Sequence, residues 1–118
     1  MDPLDYLGVA RALAEGVHGE AELRTAVNRA YVGALLVLRE ALVAKGWLPA
    51  RRSPRDPQEM VTMLRSRPGY RLVGDMLDEL RLLRIHADYE HGRPLGLAEA
   101  RRALALAEQV ARRVPGSR

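Results

Sequence analysis

Apolar residues recur at three- and four-residue steps along almost the whole chain, and no segment alternates between apolar and polar residues as a β-strand would. The pattern is clearest between Glu20 and Lys45, where one row of apolar side chains would share a helix face. That row consists of Leu23, Val27, Tyr31, Ala34, Leu38 and Leu42. The spacing predicts an all-α fold that contains a long amphipathic helix here.

Signals that start and stop helices predict the limits of the first two helices. Asp2 and Pro3 are residue types preferred at a helix N-cap and first turn, so a first helix should run from there to about Gly16. Gly46 is predicted to end the second helix in the left-handed conformation. The sole tryptophan, one residue later, should pack back near the last turn as part of this stop, rather than serve as a ligand platform.

The segment LPARRSPRDP is predicted to be a loop because it contains three prolines. Asp56, Pro57 and Glu59 predict a capping box that opens a third, shorter helix. That helix should end near Arg67, where the following Pro-Gly pair breaks it.

A fourth helix is predicted from Tyr70 to His91, and its expected core row is Leu72, Met76, Leu80, Leu83 and Ala87. The alanine-rich segment LAEARRALALAEQVARRV predicts a fifth helix. The sum is an antiparallel up-and-down four-helix bundle with one additional short helix. We expect a single helical domain over residues 1–114 and a frayed tail at 115–118.

The composition excludes several classes of protein. The 118 residues contain no cysteine, so disulfides and thiolate metal sites are ruled out. The N-terminus lacks the basic and apolar regions of a signal peptide, and no apolar run approaches the ~18 residues of a membrane span. We therefore expect a cytoplasmic protein.

The charge favours a polyanionic partner. The chain has a net charge of +4 and a pI of about 10.1. Lys45 is the only lysine, so nearly all cationic side chains are arginines, whose planar donors suit phosphate oxygens.

Several segments resemble those of one protein family. EAELRTAVNRAYVGALLVLREAL is similar to a family helix that reads Arg, two small residues, then Arg-Ala-Tyr-Tyr-Ala-Ala-Phe. LRLLRIHADYEHG resembles its Leu-Arg, then Arg-x-x-Ala-Asp-Tyr segment, and the final helix and the opening DPLDYLGVARALAEG also fit. The family is HEPN (higher eukaryotes and prokaryotes nucleotide-binding), and the resemblance covers nearly the whole chain. The chain departs from it by Val32 in place of the second tyrosine and by its lack of phenylalanine.

The resemblance implies a four-helix bundle that commonly forms a homodimer. Many HEPN proteins are metal-independent endoribonucleases that act as toxins or host-defence effectors, and others are partners of small nucleotidyltransferases. We therefore expect a component of a toxin–antitoxin or defence-type system that acts on RNA, with metal-independent cleavage through an Arg/His pair as one expected activity. The alternative is a non-catalytic partner of a nucleotidyltransferase or nucleotide-binding module. No cofactor is expected.

Active HEPN proteins carry an arginine and a histidine with four to six residues between them, and two pairs here have that spacing, with four residues between Arg81 and His86 and six between Arg84 and His91. Arg84 and His91 would lie about 20° apart around a helix, whereas Arg81 and His86 would lie about 140° apart. Arg84 and His91 are therefore our first candidate catalytic pair. His91 would supply an acid or a phosphate ligand, and Arg84 would stabilise the pentacoordinate phosphate. Aligned on Ala-Asp-Tyr, however, the position of the family's histidine holds Tyr89.

The same residues also have a structural interpretation. Arg84 and Asp88 have the spacing of a helical surface ion pair. If Asp88 is instead half-buried, Arg29 is its expected partner, in a pair that would hold helices two and four together. Tyr31 and Tyr89 would then be core aromatics with a polar tip rather than base-stacking platforms.

Two charged clusters are further candidate binding sites. A basic loop, open to interpretation as an RNA-phosphate site or a solvated loop, contains Arg51, Arg52 and Arg55. An acidic cluster consists of Asp75, Asp78 and Glu79. It has no histidine at ligand spacing, and the helical pairs Arg71–Asp75 and Asp78–Arg81 account for it, so we expect no metal site.

Overall fold

A computed structural model of the chain describes residues 2–15 and 19–114. Its helices are α1 (Pro3–Glu15), α2 (Glu20–Ala44), α3 (Asp56–Ser66), α4 (Arg71–Tyr89) and α5 (Leu97–Arg112). These residues contain no β-strand, so the all-α prediction is confirmed. No helix among them has the length and apolar character needed to cross a membrane. The predicted helix end at Gly16, the loop residue His18 and the tail at 115–118 lie outside the described residues.

Helix α2 lies at the centre of the bundle, where it packs against α1, α4 and α5, while α3 packs against α4. The start of α2 meets the end of α4 through a hydrogen bond between Asn28 and Asp88. The end of α2 meets the start of α4, because Trp47 and Tyr70 pack edge to face at 5.5 Å. Helices α2 and α4 are therefore antiparallel, as predicted.

The predicted apolar row of α2 is confirmed, since all six of its residues are buried. Helix α2 also ends as expected. Gly46 has a φ of +74°, and the backbone N–H of Trp47 donates to the carbonyl of Leu42 at 2.9 Å. The guanidinium of Arg67 lies over the indole ring of Trp47, with its central carbon 3.8 Å from the ring centroid. Trp47 thus belongs to the packing between the end of α2 and the turn before α4.

The first helix is capped as predicted, whereas the capping box at the third helix is wrong. The side chain of Asp2 accepts a hydrogen bond from the N–H of Leu4 at 2.9 Å. Asp56, in contrast, is itself the first residue of α3, and its carboxylate is buried against the side chain of Arg39. A buried carboxylate requires a cationic partner more than a helix end requires a cap, because water is not available to it.

The core row predicted for α4 is partly wrong. Met76, Leu80 and Ala87 are buried as expected, but Leu72 is 50% exposed. The buried face begins instead at Val73, which lies about 100° around the helix from Leu72. Because α4 contacts α2, α3 and α5, its buried face is broad, and a single row of apolar residues does not define it.

Gly33 allows α1 to approach α2 closely. A Cβ atom at this position would lie 2.9 Å from Cβ of Tyr6, 3.0 Å from Cδ2 of Leu7 and 3.1 Å from the carbonyl oxygen of Pro3. Cβ of Tyr6 and the carbonyl oxygen of Pro3 are fixed to the α1 backbone, so they cannot move aside unless the helix moves. The crossing of α1 over α2 therefore depends on the missing side chain.

We predict that Gly33→Ala lowers the free energy of unfolding by about 1–2 kcal/mol, because the overlap with α1 outweighs the gain in helix propensity. Gly8→Ala is the matched control, since a Cβ there meets no atom within 4 Å. That change should raise stability by roughly 0.5–1 kcal/mol. Urea unfolding followed by circular dichroism measures both, and a shift of both variants in the same direction would contradict the prediction.

Candidate functional site

A surface groove of about 410 Å³ lies between the first turns of α2 and the last turn of α4. Its polar lining comes from both helices and from the turn after α4. The lining side chains that can donate or accept hydrogen bonds are Arg24, Thr25, Asn28, Arg29, Asp88 and His91. The antiparallel packing of α2 on α4 thus brings residues about 60 positions apart in sequence to one place.

A chain of polar contacts crosses the groove from α2 to α4. One guanidinium nitrogen of Arg29 donates to the amide oxygen of Asn28 at 2.8 Å, and the amide nitrogen of Asn28 donates to Asp88 at 2.9 Å. On α4, Nε of Arg84 lies 2.8 Å from the same oxygen of Asp88. The predicted direct pair of Arg29 with Asp88 is therefore wrong. Asn28, the residue before Arg29, faces α4 and donates the hydrogen bond to Asp88 instead. The predicted ion pair of Arg84 with Asp88 is present.

The guanidinium of Arg84 lies near two tyrosine rings. Its central carbon is 5.6 Å from the centroid of Tyr31 and 5.2 Å from that of Tyr89, both within the range of cation–π attraction. Tyr31 is 5% exposed, as expected for a core aromatic, and its burial raises the pKa of the phenol, against an opposing effect of the Arg84 cation. Tyr89 is 66% exposed, so the prediction that it belongs to the core is wrong. It stands in the last turn of α4, on the side that no other helix covers.

Arg24 attaches the last turn of α4, and the turn that follows it, to the start of α2. One of its terminal nitrogens donates to the carbonyls of His86 and Ala87, each at 2.9 Å, and the other reaches the carbonyls of Glu90 and Arg93. These carbonyls belong to the last turn of α4 and to the turn beyond it, and those of His86 and Glu90 also accept from the backbone N–H groups of Glu90 and Arg93. A cation at this end also complements the helix dipole.

Glu20, at the start of α2, completes this attachment. Its carboxylate accepts a hydrogen bond from the backbone N–H of Leu95 at 2.8 Å and lies 3.3 Å from the guanidinium of Arg24. The hydrogen bond from Leu95 is the main cause that lowers the pKa of Glu20, and the Arg24 cation acts in the same direction. Residues 90–95 are therefore held to the first turn of α2 at several points.

The two candidate Arg/His pairs have different surroundings. His91 is exposed and lines the groove, one residue beyond the C-cap of α4, whose last helical residue is Tyr89 rather than His91. It shares the groove with Asp88, the partner of Arg84. His86, in contrast, is 4% exposed, and its Nε2 lies 3.0 Å from the carbonyl of Pro94.

Arg81, the other member of the second pair, is bound to Asp78 at 3.0 Å, as its helical spacing predicted. Its guanidinium is directed to an acid one turn back on α4, while the buried imidazole of His86 faces the turn after that helix. The second pair therefore does not line a common groove.

Arg24 and Asn28 are the site residues that the sequence interpretation missed. They are four residues apart, about one helical turn, so their side chains lie on the same side of α2. This spacing was a usable signal that both face one neighbour. It could not have shown that the neighbour is the end of α4, because the acceptors of Arg24 are backbone carbonyls, which every residue has.

The basic loop lies at the opposite end of α2. Arg51, Arg52 and Arg55 are exposed there. Arg39, on α2, donates to the carbonyls of Pro49 and Ala50 at 3.1 and 3.2 Å and binds Asp56 at 2.9 Å. The loop is thus fixed against α2 by a mostly buried arginine, while its own three arginines remain exposed.

The acidic cluster on α4 is engaged by arginines, although not by all of those expected. Asp75 binds Arg65 of α3 at 2.7 Å, so the predicted pair with Arg71 is wrong. The reason is that α3 packs beside α4 and presents Arg65 at closer range than the preceding turn of α4 does. Over the described residues, no group of three or more histidine, aspartate or glutamate side chains is arranged to hold a metal ion.

Comparisons with known proteins agree with this architecture. The model of the HEPN domain matches residues 5–116 of the 118-residue chain. The search of curated proteins and the search of solved structures gave no significant match. Because the family model covers almost the full length, the chain belongs to the HEPN family.

Proposed function

We propose that this chain is the RNA- or nucleotide-binding HEPN component of a toxin–antitoxin or defence-type system, and that the groove between α2 and α4 binds phosphate groups. The observation that carries the proposal is the way in which the arginines of the groove are held. Arg24 and Arg29 donate mainly to neutral oxygens, namely backbone carbonyls and the amide of Asn28. The charge of Arg24 is partly compensated by Glu20, 3.3 Å away, whereas Arg29 has no acidic partner among the described residues, so its charge is available to a ligand.

Asp88, the one acid among the described residues that line the groove, does not cancel the charge of Arg29. Asp88 lies against the guanidinium of Arg84 at 2.8 Å and accepts a hydrogen bond from Asn28. Its negative charge is thus largely neutralised from the α4 side. An anion that enters the groove would meet the exposed guanidinium of Arg29 and the imidazole of His91.

His91 would supply one of the two proton transfers by which RNA is cleaved without a metal. The 2′-hydroxyl of a ribose attacks the adjacent phosphate when a base removes its proton, and an acid then protonates the leaving 5′-oxygen. A histidine titrates close to neutral pH and suits either role. His91 would serve as the acid, Arg29 would stabilise the charge on the phosphate, and the proton of the 2′-hydroxyl would pass to water. Arg84 would reach the phosphate only after it leaves Asp88.

We expect the purified protein to bind a single-stranded RNA oligonucleotide, and Arg29→Ala to weaken that binding roughly tenfold, as expected for the loss of one charge-assisted contact to phosphate. Arg101→Ala, an exposed arginine of α5 that does not line the groove, is the matched control and should have little effect. Fluorescence anisotropy at several salt concentrations measures both. An equal effect of the two variants would contradict a specific groove.

Cleavage is tested with the same proteins and total RNA, with and without EDTA. Cleavage that resists EDTA and is lost in His91→Ala and Arg84→Ala would establish a metal-independent endoribonuclease. Loss only in Arg81→Ala and His86→Ala would assign the reaction to the second pair. RNA that is bound but left intact by the wild type would assign a non-catalytic role.

A non-catalytic partner of a small nucleotidyltransferase is the second candidate function, and the surroundings of Arg84 favour it. This arginine is bound to Asp88 and lies against two tyrosine rings, so moving it to a phosphate requires these contacts to be given up. The open side of α4 supports a protein partner or a second copy of the chain. It exposes Leu82 and Tyr89, which are seven residues apart and therefore on one face.

A further inference from the structure

Partly exposed residues recur along one side of α2 from Asn28 to Arg39. Asn28, in the groove, and Arg39, at the basic loop, are eleven residues apart and lie within about 20° of each other around the helix axis. They are separated by roughly 16 Å along that axis. The groove and the basic loop are therefore the two ends of one surface.

The two ends are built in the same way. At each end a mostly buried arginine of α2 donates to backbone carbonyls of a loop, Arg24 to residues 90 and 93 and Arg39 to residues 49 and 50. The side chains of these loops are left free to face outward. One loop presents His91 beside Arg29, and the other presents Arg51 and Arg52.

Arg52 marks the second end of the surface. It lines a small depression together with Leu36, Arg39, Glu40 and Pro3, and a second one with Leu35 and Asp56. Its guanidinium is close enough to Asp56 to contribute to the lowered pKa of that carboxyl. The exposed Arg52 thus lies directly against the face of α2, not at the tip of a distant loop.

The surface between the ends is apolar. Val32, Leu35 and Leu36 are half-buried and lie on this side of α2 between Arg29 and Arg39. A surface with cations at both ends and hydrocarbon between them suits a ligand that carries phosphates at intervals and apolar faces between the phosphates.

We propose that one strand of RNA lies along this side of α2, with one phosphate at Arg29 and another at Arg52. The inference rests on the proposed function and extends it, because it assigns Arg52 as a second phosphate contact outside the groove and requires a strand long enough to reach both arginines. The roughly 16 Å between the two ends corresponds to about five phosphate steps of a stacked strand at ~3.4 Å each, and to fewer steps of a strand whose bases are splayed apart.

The apolar middle is the reason that the strand must be unpaired. In a duplex the bases are stacked inside, and the protein meets only sugars, phosphates and shallow base edges. Val32, Leu35 and Leu36 would then contact nothing apolar. An unpaired strand can turn its bases onto these side chains while its phosphates reach the arginines at both ends.

The test compares oligonucleotides of two lengths by fluorescence anisotropy. The probes are labelled 2′-O-methyl RNAs of three and ten nucleotides, which lack the attacking hydroxyl and so stay intact. Arg52→Ala should weaken binding of the ten-mer roughly tenfold, lower its salt slope by about 1 and leave the three-mer unchanged. Arg29→Ala should weaken both, and Arg101→Ala neither. A ten-base-pair RNA duplex should compete poorly with the ten-mer.

The outcomes distinguish phosphate binding in the groove from binding of a strand that extends to Arg52. If Arg29→Ala weakens binding but Arg52→Ala does not, the groove binds phosphate and the extended strand is wrong. If Arg52→Ala weakens the three-mer as much as the ten-mer, or if the duplex competes equally, the extended single strand is also wrong. If the wild type binds neither probe, the proposed function itself fails, and the inference with it. Because the side chain of Arg52 is exposed, unchanged thermal unfolding of the variant should exclude a folding defect.

Discussion

Replacing Arg24 with alanine should lower the free energy of unfolding by about 3 kcal/mol, because the change removes charge-assisted hydrogen bonds to four carbonyls at and beyond the end of α4. Arg24 is the residue through which the first turns of α2 hold the last turn of α4 and the segment that follows it. This decrease in stability has two causes. The variant lacks several hydrogen bonds donated by a charged group, and it lacks a cation at the C-terminus of α4.

Two further variants separate these contributions. Arg24→Lys keeps the charge but cannot donate in several directions from a planar group, so we expect an intermediate loss of about 1–2 kcal/mol. Arg101→Ala removes an exposed arginine and should change stability by less than ~0.5 kcal/mol. Urea unfolding followed by circular dichroism gives all three values. If Arg24→Ala and Arg101→Ala unfold at the same urea concentration, Arg24 does not hold the end of α4.

Asp56→Ala should cost roughly 2–3 kcal/mol, because it leaves the cation of Arg39 mostly buried and without its counter-charge. The two side chains are 2.9 Å apart and about 10% exposed, with Asp56 at 10% and Arg39 at 11%. Asp75→Ala is the matched control, since the partner of Asp75, Arg65, is bound at a similar distance but in an exposed pair. That control should cost less than ~1 kcal/mol.

The contribution of Asp56 should also depend on pH in a defined direction. The hydrogen bond from Arg39, followed by the one from the N–H of Ser53, lowers the pKa of this carboxyl in the folded protein. A carboxyl with a lowered folded pKa stabilises the fold fully above its unfolded pKa of about 3.9, and this stabilisation is lost as the pH falls through the folded pKa.

Urea unfolding of the wild type and of Asp56→Asn between pH 2 and 7 tests this dependence. The difference in stability should be constant above about pH 5 and should shrink at the acidic end. A difference that grows as the pH falls would show that the charge of Asp56 does not stabilise the folded state.

The parts of the fold that follow from local sequence could be predicted. The apolar row of α2, the cap at Asp2 and the stop at Gly46 depend on residues within a few positions of each other, and the structure confirms all three. Leu72 and Tyr89 were placed wrongly for a shared reason. Their burial depends on which sides of α4 are covered by other helices, and the apolar pattern of α4 alone does not determine those sides.

The candidate site could be predicted only in part, because its contacts join distant segments. The sequence indicated Arg84, Asp88 and His91, which lie close together on or just after one helix. It could not distinguish Asn28 from Arg29 as the partner of Asp88, since the two differ by one position and the rotation of α2 decides between them. The buried state of His86 was equally hidden, because its acceptor lies on the turn that folds back after α4.

The attachment of both loops through backbone carbonyls has a consequence for how proteins of this architecture can diverge. Arg24 and Arg39 recognise the course of the main chain, and every amino acid supplies the same carbonyl group. The outward side chains of these loops can therefore be exchanged without altering the position of the loops. Residues that select a ligand can accumulate substitutions at little thermodynamic cost, while the two arginines that position the loops cannot.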